Sequence, residues 1–192
     1  MKKTYALITG ASSGIGLQIA NNLASKGYNL ILTARREDRL LNIANEIAEK
    51  FDVKVDYISC DLSDIDTPKQ IFKFCLSRGY EVEILINNAG YGIASPFHET
   101  PMEVEEDFIR VLGTSVIALS KIFLPTMIER QSGKIMIVSS VASFSPPSSI
   151  QALYGPIKTF MNRFSDAINI NYNHLGITST ALCPGFTVTE FH

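Results

Sequence analysis

Tyr154 and Lys158 have the side-chain types and the spacing that proton transfer requires. They stand four residues apart, so on a helix both side chains would lie on the same face. An ammonium group beside a phenol favours the phenolate, and we therefore expect Lys158 to lower the pKa of Tyr154 from its reference value near ~10. A phenol tuned in this way can act as a general acid or base close to neutral pH. Many surface helices carry the same pair, so the spacing alone does not identify a catalytic site.

The segment TGASSGIG, from Thr9 to Gly16, has the composition of a phosphate-binding loop. It follows a short apolar run and precedes apolar residues at helical spacing, which is the setting of a dinucleotide-binding loop. The first glycine would permit a tight turn, and the later ones would let the backbone approach a pyrophosphate at the helix N-terminus. The spacing GxxxGxG is a variant of the usual pattern, and taken alone a plain surface turn explains it equally well. The residues expected to contact a dinucleotide here are Gly10, Ser12, Ser13, Gly14, Ile15 and Gly16.

The end of the second predicted strand, in the segment TARRED, bears on the choice of dinucleotide. An acidic residue at this place would bind the ribose hydroxyls of NAD, but the segment has Arg35 and Arg36 instead. A guanidinium group forms charge-assisted hydrogen bonds with phosphate, so the arginines favour NADP(H) over NAD(H). The alternative is that both arginines are solvated and pair with Glu37 or Asp38.

The elements that must position these residues alternate along the chain. Apolar runs predict strands over residues 5–9, 28–34, 55–60, 82–90, 133–140 and 177–185, and helical spacing predicts helices over 15–26, 40–47, 68–77, 102–129 and 153–171. This alternation predicts an α/β fold, a Rossmann-like doubly wound parallel sheet with strand order 3-2-1-4-5-6 and helices on both faces. Ser139 and Ser140 end the fifth strand, at the carboxyl edge where such sheets bind ligands.

The composition fits one globular domain over residues 1–192 and excludes several functions. A net charge of −2 gives no electrostatic case for binding nucleic acid or an anionic membrane. No segment approaches the ~20 apolar residues of a membrane span, and the apolar run at the N-terminus is too short for a signal peptide. Three cysteines, an odd number without a CxxC pair, favour a reduced and cytoplasmic protein. The histidines show no metal-ligand spacing, so we expect no metal site.

Six ordered motifs give the chain a resemblance to a known family. They are TGASSGIG, DL at Asp61-Leu62, NNAG at Asn87–Gly90, VSSVAS, YGPIK and PGFTVTEF. With these motifs the chain closely resembles the short-chain dehydrogenase/reductase family, of its classical type, from Thr4 to its last residues. The resemblance implies hydride transfer between NADP(H) and the carbonyl/alcohol pair of a small organic substrate. It also implies a homodimer formed through the helices over 102–129 and 153–171.

The resemblance further implies a role for each matching residue. Tyr154 would be the catalytic acid or base, Lys158 would bind the nicotinamide ribose and tune the tyrosine, and Ser140 would hydrogen-bond the substrate oxygen. Other residues would contact the adenine, line the cofactor or lie beside the nicotinamide: Asp61, Leu62, Asn87, Asn88, Ala89, Gly90, Pro184, Gly185, Thr187 and Thr189.

The chain departs from the family pattern at three places. The family's usual asparagine on the long fourth helix is Leu112 here, and leucine neither donates nor accepts a hydrogen bond. Thr114 or Ser115 could replace it through water. The loop before Tyr154 is one residue longer than is common, which could move the serine role from Ser140 to Ser139. By the resemblance, the domain would also lack the usual substrate-covering C-terminal helices and the last strand.

Two other readings of function therefore remain open: an NADP(H)-binding protein without turnover, and a fragment that folds poorly alone. Among the lesser features, a solvated role is expected for His98 in the loop after the fourth strand. Tyr91 and Phe97 in the same loop could contact substrate or simply pack. Pro156 lies in the first turn of its predicted helix, where a missing N–H costs little.

Overall fold

The computed structural model describes residues 4–147 and 151–187. Within these residues the chain forms one parallel sheet in the order β3-β2-β1-β4-β5-β6, which confirms the predicted strand order. Every pair of neighbouring strands is parallel, as βαβ crossovers require. The strands are β1 (Thr4–Thr9), β2 (Asn29–Ala34), β3 (Val55–Ser59), β4 (Glu81–Asn87), β5 (Gly133–Val138) and β6 (Ile177–Leu182).

The helices between the strands follow the predicted pattern with one difference. They are α1 (Gly14–Ser25), α2 (Glu37–Phe51), α3 (Thr67–Ser77), α4 (Met102–Ile109), α5 (Ser115–Arg130) and α6 (Tyr154–Tyr172). The single helix predicted over 102–129 is divided, because a π-helical segment over Arg110–Thr114 joins α4 to α5. Such wide turns occur often at functional sites, and this one contains Leu112.

The two faces of the sheet are covered to different extents. Helices α3, α5 and α6 pack on one face, over a core that includes Leu85, Phe108 and Leu119. Helices α1 and α2 cover the other face near β1, β2 and β3. Beyond them, a groove of about 1190 Å³ runs from the loop before α1 along β4, β5 and β6. Apolar residues of these strands line the groove, which begins at the predicted phosphate loop.

The outer edge of β6 is closed at its centre by a side chain of α6. The carboxamide of Asn169 accepts a hydrogen bond from the Ser179 N–H at 2.7 Å and donates one to the Ser179 carbonyl at 2.5 Å. The hydroxyls of Ser165 and Ser179 lie 2.7 Å apart beside this pair. Because a free strand edge carries unpaired N–H and C=O groups, this bidentate contact satisfies one such pair.

The helical run from Met102 to Arg130 corrects one expectation from the sequence. By length and composition alone it could cross a membrane, whereas the sequence pattern predicted no such segment. Half of its most apolar window is buried inside the fold, where Phe108, Leu119 and Phe123 are at most 2% exposed. Such burial is typical of a core helix, and a core helix can be as long and as apolar as a membrane-spanning one.

Candidate active site

The loop between β1 and α1 is shaped by glycines at positions where a side chain would not fit. Gly10 and Gly14 have positive φ angles of 66° and 55°, a conformation that glycine adopts without strain. A Cβ on Gly16 would lie 2.4 Å from the carbonyl oxygen of Gly10, so the backbone of α1 sits directly on the turn. The first amides of a helix have no acceptor within it, so those of Gly14, Ile15 and Gly16 can donate to a ligand at the N-terminus of α1.

Residues that follow β4 hold this loop in place through hydrogen bonds. The Asn88 carboxamide donates to the carbonyls of Thr9 and Gly10 at 2.9 and 3.1 Å. The Thr9 hydroxyl in turn accepts from the amides of Asn88 and Ala89 at 3.0 and 3.1 Å. Asn88 therefore fixes the shape of the loop with its side chain, and Thr9 is a partner that the sequence did not single out.

Asn87 and Gly90 flank that contact and differ in exposure. The Asn87 side chain is buried and donates to the Ser120 hydroxyl at 3.4 Å. A Cβ on Gly90 would lie 3.7 Å from Cγ of Leu112, so the two residues are neighbours across the site.

Both arginines after β2 lie on the rim of the loop. Arg36 directs its guanidinium to the Ser12 hydroxyl at a distance of 3.4 Å. The carbonyl of Arg35 accepts from the Ser59 hydroxyl at 3.0 Å, which joins the ends of β2 and β3. Both side chains are exposed. A cationic rim thus borders the loop that carries Ser12 and Ser13.

Asp61 and Leu62 follow β3, and one side chain is exposed whereas the other is buried. Asp61 is exposed, and its carboxylate accepts from the amide of Ser63 at 2.9 Å. Leu62 is only 7% exposed and packs into the core beneath α3. Of the two residues, Asp61 is therefore the one that offers a polar side chain at the surface.

The end of β5 and the start of α6 bring a serine to the tyrosine. The side chains of Ser140 and Tyr154 are hydrogen-bonded to each other. Ser139 is buried, and its hydroxyl donates to the carbonyl of Lys158 at 3.1 Å. The geometry thus favours Ser140 over Ser139 as the partner of Tyr154. Helix α6 begins at Tyr154, so Pro156 occupies its first turn as expected.

The electrostatics of Tyr154 and Lys158 differ from the expectation. Burial raises the pKa of Tyr154 above its usual value, and the hydrogen bond with Ser140 offsets only part of this rise. The Lys158 ammonium donates to the carbonyl of Val138 at 2.7 Å and lies 5.6 Å from the centre of the Tyr154 ring. Burial lowers the pKa of Lys158 to about 8. The predicted lowering of the tyrosine pKa by Lys158 is therefore wrong for this structure, because desolvation dominates.

Leu112 fills the place where the family pattern has an asparagine. Its side chain is 1% exposed within the π-helical segment. The nearby hydroxyls of Thr114 and Ser115 donate to the carbonyls of Arg110 and Val111, at 3.4 and 2.8 Å. Both hydroxyls thus use their single donor within their own helix, and each keeps acceptor lone pairs for a water.

Three apolar side chains are exposed on the segments that follow Ser140 and β6. Val141, Phe144 and Phe186 have relative exposures of 42%, 76% and 104%. The segments that carry them are joined by a hydrogen bond from the Val141 amide to the Pro184 carbonyl at 3.0 Å. None of these three side chains was predicted as a site residue from the sequence, because only the fold brings the two segments together.

Gln151 reaches the same region from the loop before α6. Its φ angle is positive at 58°, and a Cβ on Gly92 would lie 3.0 Å from its Nε2 atom. Tyr91 packs edge-on against Phe108 with ring centres 5.3 Å apart, which favours the packing role over substrate contact. The His98 side chain is 83% exposed, as expected for a solvated loop histidine.

The remaining predicted residues lie after β6, on the far side of the site. The Thr187 hydroxyl donates to the Gly185 carbonyl at 3.1 Å, and Thr187 also borders the groove. Thr189 lies outside the described residues. Within residues 4–147 and 151–187 there is no cluster of three or more metal-ligating side chains.

Known proteins share this arrangement along most of the chain. A very-long-chain 3-oxoacyl-CoA reductase of Phaeosphaeria nodorum is 35% identical over 183 residues, 91% of this chain and 52% of that protein. A short-chain dehydrogenase from Sphingobium yanoikuyae, solved in complex with NADPH, is 30% identical with a TM-score of 0.91, over 100% of this chain and 73% of that one. The bulky-bulky ketone specific alcohol dehydrogenase from Comamonas testosteroni is 30% identical with a TM-score of 0.90, over 97% of this chain and 73% of that one.

The chain spans about half the length of the Phaeosphaeria nodorum reductase. A family model described as short chain dehydrogenase matches residues 4–192, which is almost the entire chain. The chain therefore belongs to the short-chain dehydrogenase family.

Proposed function

We propose that this protein is an NADP(H)-dependent oxidoreductase that transfers a hydride between the nicotinamide and a carbonyl/alcohol pair. The observation that carries the proposal is that the glycine loop after β1, Ser140 after β5 and Tyr154 at the start of α6 come together at one edge of the parallel sheet, with Ser140 next to the Tyr154 phenol. The loop fits a dinucleotide because the backbone at Gly10 and Gly16 leaves no room for a Cβ. Without side chains at these two positions, a pyrophosphate can come close to the first amides of α1. NADPH would supply the hydride, and the protein would supply position and a proton.

On the cofactor side, the amides of Gly14, Ile15 and Gly16 with the hydroxyls of Ser12 and Ser13 would bind the pyrophosphate. Arg35 and Arg36 would bind the 2′-phosphate, supported by the 3.4 Å contact between Arg36 and Ser12. Asp61 and Leu62 would border the adenine. The remaining proposed cofactor contacts are Asn87, Asn88, Ala89, Gly90, Pro184, Gly185, Thr187 and Thr189.

On the substrate side, Tyr154 would donate its proton to the carbonyl oxygen, and the Ser140 hydroxyl would hydrogen-bond the same oxygen. The phenol of Tyr154, whose pKa burial raises, is protonated at neutral pH and so holds the proton that reduction of a ketone requires. Lys158 would bind the nicotinamide ribose. Its ammonium has three N–H donors, and only one of them is needed for the hydrogen bond to the carbonyl of Val138 at 2.7 Å.

The proposed substrates are ketones with bulky apolar substituents. Val141, Phe144 and Phe186 expose apolar surface on the segments that follow Ser140 and β6, and such surface favours an apolar ligand. Two of the similar proteins point the same way, since one is described as a very-long-chain 3-oxoacyl-CoA reductase and the other as specific for bulky-bulky ketones.

A homodimer is proposed through α5 and α6. Val116, Leu119 and Phe123 of α5 are buried in the core, whereas Phe160 of α6 is 54% exposed and available to a second copy.

The second candidate is an NADP(H)-binding protein without turnover. One observation favours it: Leu112 provides no hydrogen bond at the place of the family asparagine. Both candidates require nucleotide binding, and they differ only in chemistry.

Fluorescence titration with NADPH and NADH, followed by a panel of bulky and small ketones, separates the candidates. We expect NADPH to bind at least ten times more tightly than NADH, and bulky ketones to be reduced faster than acetone. Binding without consumption of NADPH favours the second candidate. Failure to bind either nucleotide at millimolar concentration contradicts both.

A further inference from the structure

We propose that Asn162 is a positioning residue for the reaction, which holds the Ser140 turn against the helix that carries Tyr154. This inference rests on the proposed function, because it concerns how the two reacting side chains are kept in register. Asn162 lies on α6, four residues after Lys158 and eight after Tyr154. It is partly buried and lies between the turn after β5 and the segment after β6.

The first contact of Asn162 reaches the backbone of Ser140 through one hydroxyl group. Its Nδ2 atom donates to Oγ of Ser143 at 2.8 Å. That hydroxyl donates in turn to the Ser140 carbonyl at 2.6 Å. The amide of Ser143 donates to the same carbonyl at 3.1 Å, so the turn is already closed on itself. What the Asn162 contact adds is a link between this closed turn and α6.

The second contact of Asn162 reaches the segment after β6. Its Oδ1 atom accepts from the thiol of Cys183 at 3.6 Å, a weak hydrogen bond. The next residue, Pro184, accepts from the amide of Val141 at 3.0 Å. One carboxamide therefore contacts both segments that surround Ser140.

These contacts matter because Ser140 and Tyr154 come from different elements. Ser140 follows β5, and Tyr154 opens α6, so their hydrogen bond depends on how the turn lies against the helix. Displacement of a reacting group by about 1 Å can cost roughly 100-fold in rate. Thr159 makes an independent link, from its hydroxyl to the carbonyl of Ser143 at 2.9 Å. Loss of Asn162 should therefore loosen the turn without detaching it.

The test compares Asn162→Leu with Asn171→Leu in the full chain. Asn171 is exposed on the same helix and donates to the carbonyl of Ala167 one turn earlier, so its replacement is a matched control. For Asn162→Leu we expect kcat for ketone reduction to fall about tenfold, while the Kd for NADPH changes less than twofold. Asn171→Leu should change neither quantity by more than twofold.

A double-mutant cycle with Ser143→Ala distinguishes positioning from general weakening. Ser143→Ala removes the hydroxyl that relays the contact, so alone it should lower kcat by a similar factor. Together with Asn162→Leu it should add less than a further twofold, because both changes break the same chain of hydrogen bonds. Fully additive losses overturn the proposal. Should Asn162→Leu fail to fold, a wild-type kcat in Ser143→Ala overturns it as well.

Hydrogen–deuterium exchange gives a readout that does not depend on turnover. The amides of Val141 and Ser143 should exchange faster in Asn162→Leu than in Asn171→Leu, because the turn opens more often. Equal exchange rates, or a wild-type kcat in Asn162→Leu, contradict the inference. If the unmodified protein binds NADPH but reduces no ketone, the proposed function fails, and exchange at these two amides then decides whether Asn162 holds the turn.

Discussion

The two halves of the site are held by different means. In the half between β1 and β2, backbone geometry sets the shape, because a Cβ on Gly16 would meet the carbonyl oxygen of Gly10 at 2.4 Å. In the half between β5 and β6, side chains set the shape, through the contacts of Ser140 with Tyr154 and of Ser139 with Lys158. A typical hydrogen bond contributes only about 1 kcal/mol net, so the catalytic half is the easier one to displace. We therefore expect nucleotide binding to depend on a few glycines and turnover to depend on many small contacts.

The largest expected effect is in the glycine loop. Gly16→Ala places a methyl group against the backbone of Gly10, which cannot yield as a flexible side chain would. We expect the Kd for NADPH to rise about 100-fold and the free energy of unfolding to fall by about 1–3 kcal/mol. Gly27→Ala at the other end of α1 is the control, since a Cβ there meets nothing within 4 Å and only the φ of 84° is strained. Equal losses of NADPH affinity in both variants would contradict a loop fixed by close packing.

The second-largest expected effect is a dependence of the free energy of unfolding on pH, which Lys158 causes. Burial lowers the pKa of Lys158 to about 8, whereas an unfolded lysine titrates near ~10.4. Between these values the unfolded chain binds more protons, so the contribution of Lys158 to stability rises with pH, by roughly 1–2 kcal/mol from pH 8 to 9.5.

Urea unfolding of the wild type and of Lys158→Met over this pH range measures the contribution. The wild type should gain stability relative to Lys158→Met as the pH rises, because the variant carries no titrating group there. A constant difference between the two proteins would show that Lys158 is not desolvated in the folded state.

A smaller effect is expected at the rim of the loop. Arg36→Ala should raise the Kd for NADPH about tenfold and leave that for NADH unchanged, because only NADPH carries the 2′-phosphate. Arg163→Ala is the control, since Arg163 pairs with Asp166 at the surface of α6. An equal change for both nucleotides in Arg36→Ala would mean that the arginine acts on the loop and not on the 2′-phosphate.

The smallest effect is expected at Leu112. Leu112→Asn restores a hydrogen-bonding group beside the catalytic half, and we expect kcat to rise about threefold even though a buried polar side chain costs stability. Leu112→Met adds no hydrogen-bonding group and should give no such gain. A loss of kcat in Leu112→Asn equal to that in Leu112→Met would favour a purely structural role for this position.

The sequence predicted the fold and the glycine loop well because both depend on local pattern. Alternating apolar runs are sufficient to predict the parallel sheet, and the strand order 3-2-1-4-5-6 was correct. Gly10 has the positive φ expected for a tight turn. Such features depend on residues that are close together in the chain, so they can be predicted from the residue types and their spacing.

The catalytic half was less predictable because burial decides it. Spacing correctly placed Tyr154 and Lys158 at the start of one helix, but not the depth at which Lys158 lies or its hydrogen bond to Val138. The expected fall in the pKa of Tyr154 was wrong for that reason. Asn162 and Phe144 were missed because their contacts or exposure follow from how α6, β5 and β6 meet, which no short motif records.

The most direct test of hydride transfer by this protein follows the label from cofactor to product. NADPH carrying deuterium at the transferable C4 position is incubated with a bulky ketone, and the alcohol is analysed by mass spectrometry. The proposed function predicts deuterium on the carbinol carbon, and it predicts that Tyr154→Phe binds NADPH as the wild type does but forms product at least ~100-fold more slowly. Alcohol without label, or equal rates in Tyr154→Phe and the wild type, would contradict it.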